Sequence, residues 1–214
     1  MKQTVISDPI DVRTRLAELG LTVEVLTESI LAGELASNSC TPNDPPSVPG
    51  FMFWARIVRA LRENTVTDGF VRSDERNFSI VISPDRSYSI AVSTGDEATG
   101  DPSSPSPSTK YAKGPLTVEA VERNGQLLLF KEMEPPEGED SKVTGITRIL
   151  LVRKSGDLIL CELSVPDKVV DGFVETWAER IILPTIELDG PERRANPEDD
   201  AGDLDIDITR RDGQ

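Results

Sequence analysis

The chain has 214 residues, is 37% apolar, and sets 23 basic against 38 acidic residues for a net charge of −15, with no histidine. That length suits one domain with at most a small appendage, and that apolar content is enough for a core. Without histidine, Ser-His-Asp and Cys-His catalysis and every histidine metal site are excluded, and two cysteines cannot build a zinc cage.

Chemistry, if any, must run on carboxylates, lysines, hydroxyls or a metal held by oxygen; the composition implies no cofactor. No apolar run approaches the roughly 20 residues that span a bilayer. The opening MKQTVISDPID lacks a signal-peptide core, so the expectation is a cytoplasmic protein with no membrane contact. Cys40 and Cys161 sit in unrelated contexts, as in a reducing compartment. The charge disfavours duplex nucleic acid, whose non-specific affinity comes from cationic side chains. From Asp189 to Asp212 nine acids face four arginines, a net of −5, so −10 remains on the body. Such a field either keeps the protein in solution or attracts a basic partner.

In chain order, Asp8-Pro9 is a helix start, with Ile10, Val12, Leu16 and Leu19 as the apolar side and Gly20 as the stop. Thr22 caps a second helix carrying Val23, Leu26, Ile30 and Leu31, ending near Gly33 or Ala36. The pair resembles helix-turn-helix in outline, but no basic recognition face follows, so a plain helical hairpin over a sheet is favoured. Ser37 to Gly50 holds four prolines in fourteen residues and reads as a loop. Phe51 to Glu63 reads as a third helix with a core stripe of Phe51, Trp54, Ile57, Val58 and Leu61. Arg56, Arg59 and Arg62 form a basic stripe on it, read either as a solvated face paired with local acids or as a contact for an acidic partner or phosphate.

Asn77 to Ser93 alternates apolar and polar residues around Ser83-Pro84-Asp85-Arg86, which predicts a half-buried hairpin with one hydroxyl-rich face. Thr94 to Gly114 follows. In it Asp96, Glu97 and Asp101 lie near Lys110 and Lys113, a grouping compatible with oxygen-held Mg²⁺ and a charge-steadying lysine. The commoner Pro-Asp and Glu/Asp-x-Lys strand pattern fails here, and an exposed acidic loop joined to a Ser/Pro linker is favoured. Leu116 to Phe130 reads either as a helix ending near Asn124, which is favoured, or as a short helix whose Asn124-Gly125 turns into a strand over QLLLF; Glu132 to Asp140 reads as an acidic loop. Thr147 to Val165 predicts a second hairpin of central strands, apolar on both faces. Glu162 inside it points to pairing with Arg148 or Arg153 across the ladder, to solvent, or to a site. Asp171-Gly172 turns into a last strand, Trp177 to Leu188, with Pro184 marking an edge or bulge. In the tail, Asp203, Leu204, Asp205, Ile206, Asp207 and Ile208 alternate acid and aliphatic, a pattern suited to strand addition or to a flexible tail that pairs with nothing.

Three stretches, SCTPNDPP with PGFMFW, SDERNFSIVISPD with STGDEATG and PSTKYAKGP, and ILCELSVP with ERIILP, together resemble an uncharacterised family of small bacterial proteins, some associated with phages and mobile elements. The resemblance spans about residues 15–188 and implies a bacterial, intracellular setting without an activity. The expectation is therefore an α+β domain over 1–188, with a helical part at 1–70 and a sheet-rich, mainly antiparallel part at 71–188, followed by a flexible acidic tail at 189–214. Three function classes stand open: a non-enzymatic acidic interaction protein with a basic or nucleic-acid-binding partner, contacted through Arg56, Arg59, Arg62 or Asp203 to Ile208; a metal-dependent phosphodiesterase or nuclease using Asp96, Glu97, Asp101, Lys110, Lys113 and Glu162; and a DNA-binding regulator using the first helices and the arginine stripe.

Overall fold

The computed structural model describes residues 3–104, 106–129 and 145–188. Three helices come early: α1 (Pro9–Glu18), α2 (Val23–Asn38) and α3 (Val48–Thr65). Asp8 caps α1, its carboxylate accepting from the N–H groups of Ile10 (2.8 Å) and Asp11 (3.3 Å), and Thr22 caps α2 through Val25 N–H. Both helices outer to the Pro-rich loop run further into it than composition suggests. Pro49 falls in the first turn of α3, where a missing N–H costs nothing.

The strands are β1 (Thr4–Ile6), β2 (Val71–Ser73), β3 (Ile80–Ile82), β4 (Tyr88–Thr94), β5 (Ile146–Ser155), β6 (Leu158–Val170), β7 (Phe173–Ile182) and β8 (Ile186–Glu187). They form one mixed sheet in the order β1-β7-β6-β5-β4-β3-β2, with β8 continuing beyond β7 on the same neighbour, β6. Most pairings are antiparallel, as expected, but β1 runs parallel to β7 and β4 parallel to β5. The fold is α+β. Both hairpins stand where turn chemistry predicts them, Arg86 N–H closing on Ser83 C=O at 2.9 Å. The expected last strand breaks at Leu183–Thr185 into β7 and β8, since Pro184 has no N–H for the ladder.

One sheet face carries Tyr88, Ile90, Leu150, Val152, Cys161, Leu163 and Ile181 against Val12, Leu16, Leu26, Ile30, Ile57 and Leu61 of the helices. The helical hairpin is α2 with α3, whereas α1 lies over β7. Gly33 is where the two helices meet: a Cβ there would stand 2.5 Å from Ile57 Cγ1 and 2.7 Å from the Phe53 carbonyl oxygen.

The opposite face is covered too, which corrects the half-buried reading of the first hairpin. Helix α4 (Pro115–Leu129) packs on β5 and β6, and Ser89 and Ser93 are buried, Ser89 sharing a hydrogen bond with Thr147 at 3.1 Å. Helix α4 also passes the expected stop at Asn124. That side chain is fully buried, donating to the carbonyls of Thr147 (2.7 Å) and Pro166 (3.0 Å) and accepting from Thr147 N–H (2.8 Å). An Asn-Gly pair that suggests a turn thus serves as a stitch between helix and sheet.

Substituting Gly33→Ala would gain up to about 1 kcal/mol of helix propensity and lose about 1–3 kcal/mol to overpacking against a backbone oxygen that cannot rotate away. The expected outcome is net destabilisation, larger for Gly33→Val, read from urea midpoints. An unchanged midpoint would show that the helices do not approach this closely.

Candidate functional site

Charged residues inside an apolar strand run need partners, and on the second sheet face those partners come from the segment after β4. Glu162 of β6 and Arg180 of β7 are both completely buried. Arg180 lies opposite Ser164, two residues from Glu162 along the ladder, so both side chains emerge on one face. Arg180 Nε donates to Glu162 Oε1 at 3.1 Å and Nη2 to Oε2 at 2.5 Å, while Ser164 Oγ donates to Oε1 at 2.8 Å.

The remaining valences are met from above. Gly100 N–H donates to Glu162 Oε2 at 3.0 Å, and Arg180 donates to the carbonyls of Asp101 (3.1 Å) and Ser104. Gly100 takes a left-handed conformation (φ 76°), and a Cβ there would lie 2.8 Å from that of Leu160, so only glycine approaches the sheet this closely. Trp177 Nε1 donates to the Pro107 carbonyl at 2.6 Å, Ser106 to that of Glu175, and Arg153 to that of Glu97. The Ser/Pro segment is therefore a strap fastened across the sheet, not the exposed linker that its composition suggests.

The strap rises on a short stem in which Gly95 bridges Thr109, Asp96 N–H donates to Ser108 C=O at 2.9 Å, and Lys110 N–H to Thr94 C=O at 3.0 Å. Between this stem and the ends of α2 and α3, above the carboxyl ends of the parallel β4 and β5, lies a cleft of about 510 Å³. Asp96, Glu97 and Lys110 line it together with Phe53, Tyr111 and Phe173. Arg153 and Lys154 of β5 complete the wall. Lys154 pairs with the buried Glu34 of α2 and lies 4.6 Å from the centre of the Phe53 ring.

Of the sequence-derived candidates, Asp96, Glu97 and Lys110 thus come together and the others do not. Asp96 Oδ1 accepts from Ala98 N–H at 3.1 Å and braces its own turn. The Asp101 carboxylate faces Ser103 (Oγ 2.6 Å, N 2.8 Å), which holds it below the usual carboxylate range. Lys113 anchors the strap's far end through its N–H to Gly172 C=O, outside the cleft. Glu162 pairs across the ladder, with Arg180 and not with Arg148 or Arg153. Among the described residues no group of three Cys, Asp or Glu side chains is placed to hold a metal ion. In the arginine stripe, Arg59 pairs with Glu63, and Arg62 with Asp74 and the Ser73 carbonyl; Arg56 has no ion pair among the described residues. Asp203, Leu204, Asp205, Ile206, Asp207 and Ile208 lie outside the described residues.

The helix-covered face carries a second charged cluster. Glu179 accepts from Arg148 Nη1 (2.7 Å) and Arg15 Nη2 (2.9 Å). Burial alone would raise the Glu179 carboxyl, but Arg148 and Arg15 outweigh it and hold the group below its ordinary range. Burial pushes the Cys161 thiol up to about 12, leaving an inert core residue. No protein-family model, no curated protein and no solved structure matches this chain.

Two outcomes follow from these clusters. Arg180→Met strands a buried carboxylate and should cost about 3–5 kcal/mol while exposing the strap to proteinase K. The double variant Glu162→Gln/Arg180→Met should recover much of that loss; single-variant stability within about 0.5 kcal/mol of the parent would contradict it. Because the folded Glu179 carboxyl titrates below its unfolded value of about 4.3, its contribution is complete above that pH and fades as pH falls through the folded value. Glu179→Gln should therefore lower the urea midpoint at neutral pH, with the gap to the parent narrowing as the pH falls below the unfolded carboxyl's range.

Proposed function

We propose that this protein is a non-enzymatic interaction protein that engages a basic or nucleic-acid-binding partner, in the manner of an accessory or inhibitor protein of a bacterial mobile element. The observation that carries the reading is how the two signs of charge are distributed. Part of the positive charge is taken up by the fold: Arg180 and Arg148 are buried, Arg62 and Lys154 are mostly covered, and each is held by an acid. Acids such as Glu24, Glu28, Asp68, Asp157, Asp171 and Glu187 are exposed and make no ion pair among the described residues. These exposed acids belong to a chain whose net charge is −15, which favours long-range attraction of a positive surface.

The metal-enzyme reading draws on Asp96, Glu97 and Lys110 sharing a cleft, but it has lost Asp101, Lys113 and Glu162 from that site. The DNA-binding reading rests on a stripe of which two members, Arg59 and Arg62, are already paired.

The test is affinity capture with the full chain, identification of the retained protein, and titration of the purified pair against salt. A basic partner is expected, its affinity falling about tenfold or more between 50 and 200 mM salt. Glu24→Lys/Glu28→Lys on the outward face of α2, or removal of residues 189–214, should weaken it further. A partner without basic character, or an affinity indifferent to salt, counts against the proposal. So does thermal stabilisation by Mn²⁺ that Asp96→Ala abolishes.

A further inference from the structure

We propose that the open sheet edge at β2 is filled by the chain's own acidic-aliphatic segment, Asp203 to Ile208, added as a further strand. This contact is internal to the chain and independent of the partner proposed above.

Hydrogen bonding defines the edge. Ser83 N–H donates to Tyr88 C=O at 2.9 Å, so the alternation of an antiparallel ladder makes Val81 and Ile90 the next bonded pair. The main-chain groups of Ile80 and Ile82 then face β2, where Ser73 and Val71 meet them. Arg72, between those two, turns its N–H and C=O outward, and among the described residues no strand pairs with that side.

The two faces of this edge differ. Arg72 stands opposite Val81, so its side chain emerges on the helix-covered face, where Arg62 of α3 reaches the Ser73 carbonyl. Arg59, one turn back, lies within about 60° of Arg62 around the helix axis. Arg72 is exposed and has no hydrogen bond or ion pair among the described residues, while Asp74 is committed to Arg62 and Ser79. Val71 stands opposite Ile82 on the other face, beside the buried cluster of Ile80, Ile82 and Ala91, and is itself 50% exposed. An edge that is basic on one face and apolar on the other is completed by a strand that alternates acid with aliphatic.

Asp203 to Ile208 has that alternation. As a strand it sets Asp203, Asp205 and Asp207 on one face and Leu204, Ile206 and Ile208 on the other. With Asp205 opposite Arg72, the aspartates meet the arginines, and the aliphatic side chains extend the row of Val71 and Ile82. A slip of one residue reverses both matches, which fixes the register. The opposite edge, β1, offers no cation: it reads Thr4-Val5-Ile6 and leads to Asp8 and Asp11.

The connection is long enough. From β8, in the lane of β7, to a strand outside β2 is six strand spacings across and five residues along, about 34 Å. Residues 189–202 number fourteen and extend to about 46 Å. Such a tether raises the effective concentration of the segment, which lets an edge of three residues hold it.

The experiment follows hydrogen exchange of the residue-72 amide by NMR in the full chain and in full-length variants. The parent should protect this amide, and either Leu204→Ser/Ile206→Ser or Asp205→Lys should speed its exchange about tenfold. The charge swap Arg72→Glu/Asp205→Lys should restore protection, whereas Glu28→Lys, the same change of charge on α2, should leave the parent's protection intact. Protection should also stay constant between about 20 and 500 µM, as an intramolecular contact requires. Equal exchange in the parent and the tail variants overturns the proposal, as does a charge swap that restores nothing. Protection that grows with concentration overturns it too, because a second copy would then be filling the edge.

Discussion

Arg180 and Glu162 are two full charges withdrawn completely from water on the second face of the sheet. An ion pair in that setting regains its desolvation cost only when every donor and acceptor around it is occupied. Strand neighbours supply part of the set through Ser164, but the peptide N–H of Gly100 and the carbonyls of Asp101 and Ser104 supply the rest. The strap is thus a component of the pair and not a covering laid over it. Once the strap tip is held, the stem at Thr94–Asp96 and Ser108–Lys110 is held with it, and the stem is one wall of the cleft.

Adjacent residues of β7 serve both faces. Glu179 points to the helices, where Arg15 and Arg148 converge on it, and Arg180 points to the strap. Strand alternation makes this a simple consequence of two charged residues in sequence. The effect on the whole molecule is asymmetric. Arg148 and Arg180 are drawn into the body as binders of carboxylates and, for Arg180, of carbonyls, for which their forked geometry suits them. The inward-facing charges are paired, Glu162 with Arg180, Glu179 with Arg148 and Glu34 with Lys154, while acids such as Glu24, Glu28 and Asp68 stay exposed.

The cleft differs from that exterior. It combines both signs of charge with three aromatic rings, and it sits where two layers part at the ends of parallel strands.

Much of the fold was legible in local chemistry. The cap at Asp8, the turn at Ser83–Arg86, the two hairpins and the doubly covered strands follow from spacing and turn residues, which act over a few positions along the chain. The grouping of Asp96, Glu97 and Lys110 was legible for the same reason, being close in sequence. The parallel pairings of β1 with β7 and β4 with β5, the passage of α4 beyond Asn124, and the fastening of the Ser/Pro segment were not. Each depends on a partner far along the chain: Thr147 and Pro166 for Asn124, Arg180 for Glu162 and for the strap carbonyls. Composition and periodicity alone determined an acidic, histidine-free α+β chain and the residue types open to its chemistry. Only tertiary structure decided which of those charges face each other, because a buried ion is stabilised by whatever the fold brings within hydrogen-bonding distance and not by its neighbours in sequence.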